Sequence, residues 1–68
     1  MNLENECARL AVETTRLSGL IRGQEAKLDN QEFVTRAPAQ VVAREREKLA
    51  TWRDQVAVLE AKRRRLGC

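Results

Sequence analysis

Asp29-Asn30-Gln31-Glu32-Phe33-Val34-Thr35-Arg36-Ala37-Pro38 separates two long stretches of helical periodicity and holds the only proline and the only phenylalanine of the chain. Asp29, followed three places later by Glu32, has the spacing of a capping box and predicts the start of a short helical turn. Ala37 precedes a proline and is biased away from helical angles, whereas Pro38 suits a first helical position. The stretch therefore reads as a stop, one short turn and a restart. Two helices joined by so short a link fold back antiparallel. Phe33 and Val34 are then placed to plug the closed end, with Pro38 opening the return helix.

On either side of the tip, each arm carries its own seam. Leu3, Cys7, Leu10, Thr14, Leu17, Ile21, Gln24 and Leu28 follow spacings of four and three without a break, the pattern of a coiled coil. Val42, Glu45, Leu49, Trp52, Val56, Leu59, Arg63 and Leu66 repeat it in the second arm. Glu45 and Arg63 interrupt that seam and are expected to snorkel or to sit where it opens. Gly19 and Gly23 each weaken the first helix by up to ~1 kcal/mol relative to alanine. They read either as tolerated surface positions or as room for a sugar-phosphate to come close, and the first is preferred. Gly67 is a natural helix stop. The expected organisation is all-α, one helical hairpin over 1–68, with helix one at about 3–29, the tip at 30–37 and helix two at about 38–66.

An antiparallel seam pairs positions whose numbers have a constant sum. With that sum at 73, Leu17 faces Val56, Ile21 faces Trp52 and Gln24 faces Leu49, and the Trp52 indole N–H can reach Gln24 or solvent. A slip of one heptad pairs Leu17 with Leu49 instead. The first register is preferred because it also brings Cys7 near Leu66 and so near Cys68. Each arm would be roughly 40 Å long at helical rise.

Sixty-eight residues form one small domain at most, and two helices bury one seam while their outer faces stay wet. So thin a core needs a staple, a partner or a parent, so the chain is expected to be a fragment of a larger protein or an artificially stabilised hairpin. Net charge is +3 but unevenly placed. Residues 1–30 hold four Lys or Arg against five acids, and residues 31–68 hold nine against five. That asymmetry leans towards a polyanion, although the run Lys62 to Arg65 also suits the negative end of a helix dipole. No apolar run approaches membrane-spanning length and nothing resembles a signal peptide. There is no histidine, no metal-ligand cluster, no phosphate-binding glycine loop and no nucleophile with a base beside it. No cofactor, metal or enzymatic activity is expected of this chain alone.

The tip and the turns beside it resemble the C-terminal arm of bacterial valyl-tRNA synthetases. Leu28, Asn30, Phe33, Val34, Arg36, Ala37, Pro38, Val41, Val42, Glu45, Arg46, Lys48 and Leu49 match that family's tip pattern, and Arg44 stands where it usually has lysine. The motif covers about a third of the chain. The resemblance implies a cytoplasmic, non-catalytic accessory arm: an antiparallel coiled coil appended to an aminoacyl-tRNA ligase. Such an arm reaches the outer corner of valine-specific tRNA, where the D and T loops meet, and aids tRNA binding. It also implies Lys48, Arg44 and Arg22 as RNA contacts. Residue 23 departs from the pattern, since a basic side chain can occur there in relatives; Arg22 is the expected substitute. Independently, Arg44 and Lys48 at i, i+4 share one face of helix two, opposite a ligand class rich in clustered phosphates and unpaired bases. On charge alone a merely solvated face carries equal weight.

A cytosolic synthetase has no call for a disulfide, and for a natural chain Cys7 reads as a small seam residue and Cys68 as a free thiol. The chain boundaries, however, look like those of an excised arm. Cysteines at opposite chain ends meet at the open end of a hairpin, where an intramolecular bridge would replace what the parent held. Two other readings stand beside the tRNA arm. One is a self-associating or protein-interaction coiled coil, or an engineered scaffold, using the outer residues Val12, Leu20 and Val58, although a monomer is expected. The other is the related arm of ribosome-associated ATPases, against which the Phe33-Val34…Ala37-Pro38 tip argues.

Overall fold

A computed structural model describes residues 2–68. The chain forms α1 (Leu3–Asp29), α2 (Gln31–Arg36) and α3 (Ala39–Leu66). α1 packs along α3, and α2 closes the tip against α1. This is the all-α antiparallel hairpin expected from the sequence, a rod with principal extents of 50 × 15 × 14 Å.

Each boundary has a local cause. α1 begins where the Asn2 side chain accepts the backbone N–H groups of Glu4, at 2.9 Å, and Asn5, at 3.3 Å, which occupies donors the helix itself leaves unpaired. Glu4 and Glu6 in the first turn complement the helix dipole. Asn30, in extended conformation, stops α1 and at once caps α2, its Oδ1 accepting from the Glu32 N–H at 3.0 Å. The cap thus falls on Asn30 rather than on Asp29, because Asp29 is still helical and cannot turn its side chain onto the next helix.

Ala37 is extended, with φ −71° and ψ 147°, as the residue before a proline should be. Pro38 also remains extended and serves as the N-cap of α3, which therefore starts one residue later than the sequence suggested. The Pro38 carbonyl accepts from Val41 at 2.9 Å and Val42 at 3.1 Å. At the far end Gly67 takes φ 84°, which side-chain-bearing residues rarely adopt. That turn lets the Cys68 N–H reach the Arg63 carbonyl at 2.9 Å and the Gly67 N–H reach Arg64 at 3.2 Å, the paired closure that satisfies terminal carbonyls.

The core is a single seam. Leu10 and Leu17 of α1 and Val42 and Leu49 of α3 are buried, and Gln24 is buried among them. Ile21, Trp52, Val56, Leu59 and Leu66 are half-buried along the same line. Thr14 tolerates its seam position by donating its hydroxyl to the Leu10 carbonyl at 2.8 Å. The open end brings Cys7 and Cys68 into disulfide geometry, with Cα atoms 6.0 Å apart. That pair, with the cross-helix pairs Glu25–Arg53 and Lys27–Glu45, fits the register that sets Leu17 opposite Val56. The slipped register would carry Cys68 roughly 13 Å beyond Cys7 along the axis.

Phe33 and Val34 are half-buried at the closed end. Lys27 Nζ lies 5.0 Å from the Phe33 ring centroid, within cation–π range. Replacing Phe33 with alanine should destabilise the chain by about 1.5–3 kcal/mol, below the ~3–5 typical of a fully enclosed aromatic. Urea unfolding of the two proteins measures this; equal midpoints would show that the ring contributes nothing to closing the tip.

Candidate nucleic-acid interface

The cations near the tip are arranged around one carboxylate. Gln24 lies in the seam with 7% of its surface exposed, and its amide needs partners there. Its Nε2 donates across the interface to the Glu45 carbonyl at 2.8 Å and to the Glu45 carboxylate. The other carboxylate oxygen lies 3.6 Å from Lys27 Nζ and 3.7 Å from Lys48 Nζ. The Glu45 side chain is 13% exposed. The interruption of the α3 seam at Glu45 is therefore a cross-helix polar contact, with Gln24 satisfied by Glu45 and not by Trp52.

The hydrogen bond from Gln24, and then the charges of Lys27 and Lys48, hold the Glu45 carboxyl below the ordinary carboxylate range. It is ionised at neutral pH and tethers two ammonium groups, one from each helix. Both keep about half of their side-chain surface in water. Arg44 is exposed one turn before Lys48 on the same face of α3, and no described carboxylate lies within ion-pair distance of it. Lys27, Arg44 and Lys48 thus form one cationic edge just below the tip.

Arg22 is not part of that edge. It lies five residues before Lys27, about 140° around α1, and faces the opposite side, where it lines a groove with Gly19 and Arg63. Of the three cations singled out from the sequence, the structure brings two together and sets the third apart. The sequence reading passed over Lys27, although the preferred register nearly aligns Lys27 with Glu45 and so could have found it. Several other exposed cations are engaged with acids: Arg9 and Lys62 with Glu6, Arg16 with Glu13, Arg36 with Glu32 and Arg53 with Glu25, whereas Arg46, Arg64 and Arg65 are exposed with no described acid at ion-pair distance. Exposed pairs of this kind stabilise weakly, but they lower the positive field where they occur. Among the described residues no group of three acids, cysteines or histidines could hold a metal ion, and no helix is long and apolar enough to cross a membrane.

The family model of the valyl tRNA synthetase tRNA binding arm matches residues 2–67. The chain belongs to this family. It is 43% identical over 60 residues, 88% of its length, to the valine–tRNA ligase of Chlorobaculum tepidum, of which the match covers 7%. Over 67 residues, 98% of the chain, it is 42% identical to the valine–tRNA ligase of Gluconobacter oxydans, covering 8% of that protein. The enzyme of Rhodopirellula baltica is 45% identical over 56 residues, 82% of the chain and 5% of the enzyme. The chain thus spans less than a tenth of the length of these relatives. No solved structure is a significant match. Membership in the tRNA-binding-arm family makes the cationic edge, rather than the paired surface charges, the feature to explain.

The depressed Glu45 carboxyl makes the lock sensitive to acid. Its proton is bound less tightly in the folded chain than in the unfolded one, so its stabilising effect is present above the ordinary value of 4.5 and is lost as pH falls through the folded value. Melting temperature should fall on acidification below pH 4.5, and it should fall less in Glu45→Gln, which has no proton to gain. Parallel melts at neutral and acid pH check this; identical acid losses in the two proteins would place the acid sensitivity elsewhere.

Proposed function

We propose that this chain is a non-catalytic arm that grips the outer corner of tRNA on behalf of a valine–tRNA ligase, adding binding energy and leaving the chemistry to the rest of the enzyme. The observation that carries the reading is the edge formed by Lys27, Arg44 and Lys48 from both helices, beside the tip, in a chain of the tRNA-binding-arm family. The corner of a folded tRNA presents clustered phosphates and unpaired loop bases, which cations on a rigid rod can meet without reading sequence. Glu45 favours this by fixing where the two ammonium groups stand before RNA arrives, so binding costs less side-chain entropy. Phe33, Val34 and Pro38 act at one remove: they close the tip and so hold Lys27 in place. Any contribution of Arg22 to RNA binding comes from the other edge. The site of action is the cytoplasm, with the parent enzyme.

Arg44→Ala combined with Lys48→Ala should weaken binding of folded tRNA, and the salt slope of log affinity should fall by about one unit for every phosphate that is no longer neutralised. Filter binding or anisotropy at several salt concentrations measures this. Unchanged affinity and slope would remove these residues from the interface.

The pairing of Cys7 with Cys68 serves, in this reading, as a staple at the open end under oxidising conditions. A bridge across a sequence separation of 61 residues would stabilise the chain by about 4 kcal/mol in the chain-entropy model. Reduction should therefore lower the melting temperature sharply and independently of protein concentration. A melt unmoved by reductant would mean free thiols in solution. A strongly concentration-dependent melt would favour self-association through the exposed Val12, Leu20 and Val58.

A further inference from the structure

On the edge away from Lys27 and Lys48, the two helices leave an open groove of about 600 Å³. Thr14, Thr15, Ser18, Gly19 and Arg22 of α1 line it, with Arg63 of α3 reaching in from the other side. No carboxylate lines it.

Three of these residues weaken the fold or gain nothing within it. Arg63 stands where the four-three repeat of α3 would place an apolar side chain, and its Nε is buried without an acceptor among the described residues. An unsatisfied buried donor is destabilising. Gly19 sits in mid-helix, yet a Cβ built there would meet nothing within 4 Å. Alanine would fit and would strengthen the helix. Arg22 has no described carboxylate at ion-pair distance, whereas Arg53, on the same edge, takes Glu25 at 2.7 Å. Choices that break local rules without return inside the chain are characteristic of functional sites.

We infer that this groove is a second phosphate-binding site, taking the sugar-phosphate backbone of the RNA on the edge opposite the Lys27–Arg44–Lys48 cluster. The inference rests on the tRNA-arm reading for its choice of RNA over other phosphates. Arg63, whose side chain is half-buried at the groove wall, offers the terminal N–H groups of its guanidinium to one phosphate, the forked geometry in which arginine surpasses lysine. Arg22 takes a neighbouring phosphate further along the groove. From Thr14 to Arg22 the groove extends about 12 Å at helical rise, room for more than one phosphate. The bare Gly19 backbone lets the strand lie close, and the hydroxyls of Thr15 and Ser18 donate from beneath. The Thr14 hydroxyl is already given to Leu10 and serves only as wall.

Two measurements on the whole chain test this. In the first, pyrophosphate is titrated into labelled protein while the Arg63 Nε–H and Gly19 amide resonances are followed. Saturable shifts in the parent that vanish in Arg63→Leu support the site. Absent shifts, or shifts produced by an oligoglutamate peptide but not by pyrophosphate, overturn it. The second compares tRNA binding across salt concentrations for the parent, Arg63→Leu, Gly19→Ala and the Arg44→Ala/Lys48→Ala double variant. Arg63→Leu should melt higher than the parent while its salt slope falls by about one unit. Gly19→Ala should melt roughly 4–8 °C higher yet bind several-fold more weakly. If both bind as the parent does while the double variant does not, the groove is not a site and the arm reading stands. If the parent binds no tRNA, the arm reading and the RNA assignment fall together.

Discussion

The hydrogen bonds from Gln24 to Glu45 set the terms for the rest of the structure. A seam of leucines and valines is tolerant of slipping by a heptad, because one apolar contact resembles another. A buried amide is not tolerant: it must find an acceptor, and here the acceptors are the carbonyl and carboxylate of Glu45 on the opposite helix. A buried polar residue within a coiled-coil core thus ties the two helices together by a directional contact, at some cost to stability. The same carboxylate gathers Lys27 and Lys48, so the contact that satisfies the buried amide also assembles the cationic edge.

The rod is divided into unlike faces. One edge presents cations held in place by a shared carboxylate. The other presents arginines without carboxylate partners around a small-residue groove. Elsewhere local pairs such as Arg16–Glu13 and Arg36–Glu32 cancel part of the surface charge. The rod is 50 Å long, and its ends are closed by a packed tip and by the Cys7–Cys68 pairing. In the proposed function such a rod adds binding energy far from any reacting bond.

Much of this was legible in the sequence, for identifiable reasons. The extended bias before Pro38 and the four-three repeats fix two helices and their direction. Gly67 announces the stop that Cys68 depends upon. The tip motif names the family that residues 2–67 match. What could not be read was finer than the period of the pattern. Asp29 and Asn30 are both good capping residues, and only the point at which the backbone leaves the helix decides between them. Glu45 and Arg63 look alike as interruptions of a seam, yet one is satisfied across the interface and the other has an orphaned Nε–H. Arg22 and Lys48 lie at similar heights, and height along a rod is easily taken for proximity when the angle around each helix is left out.

Whether Gln24 and Glu45 act as one cross-helix unit is measured by a double-mutant cycle with Gln24→Leu and Glu45→Leu, melted at neutral pH under non-reducing conditions. Each single substitution should lower the melting temperature by leaving its partner unsatisfied in the seam, and the double variant should melt well above the sum of the two losses. Strictly additive losses would mean that the two residues do not act as a unit.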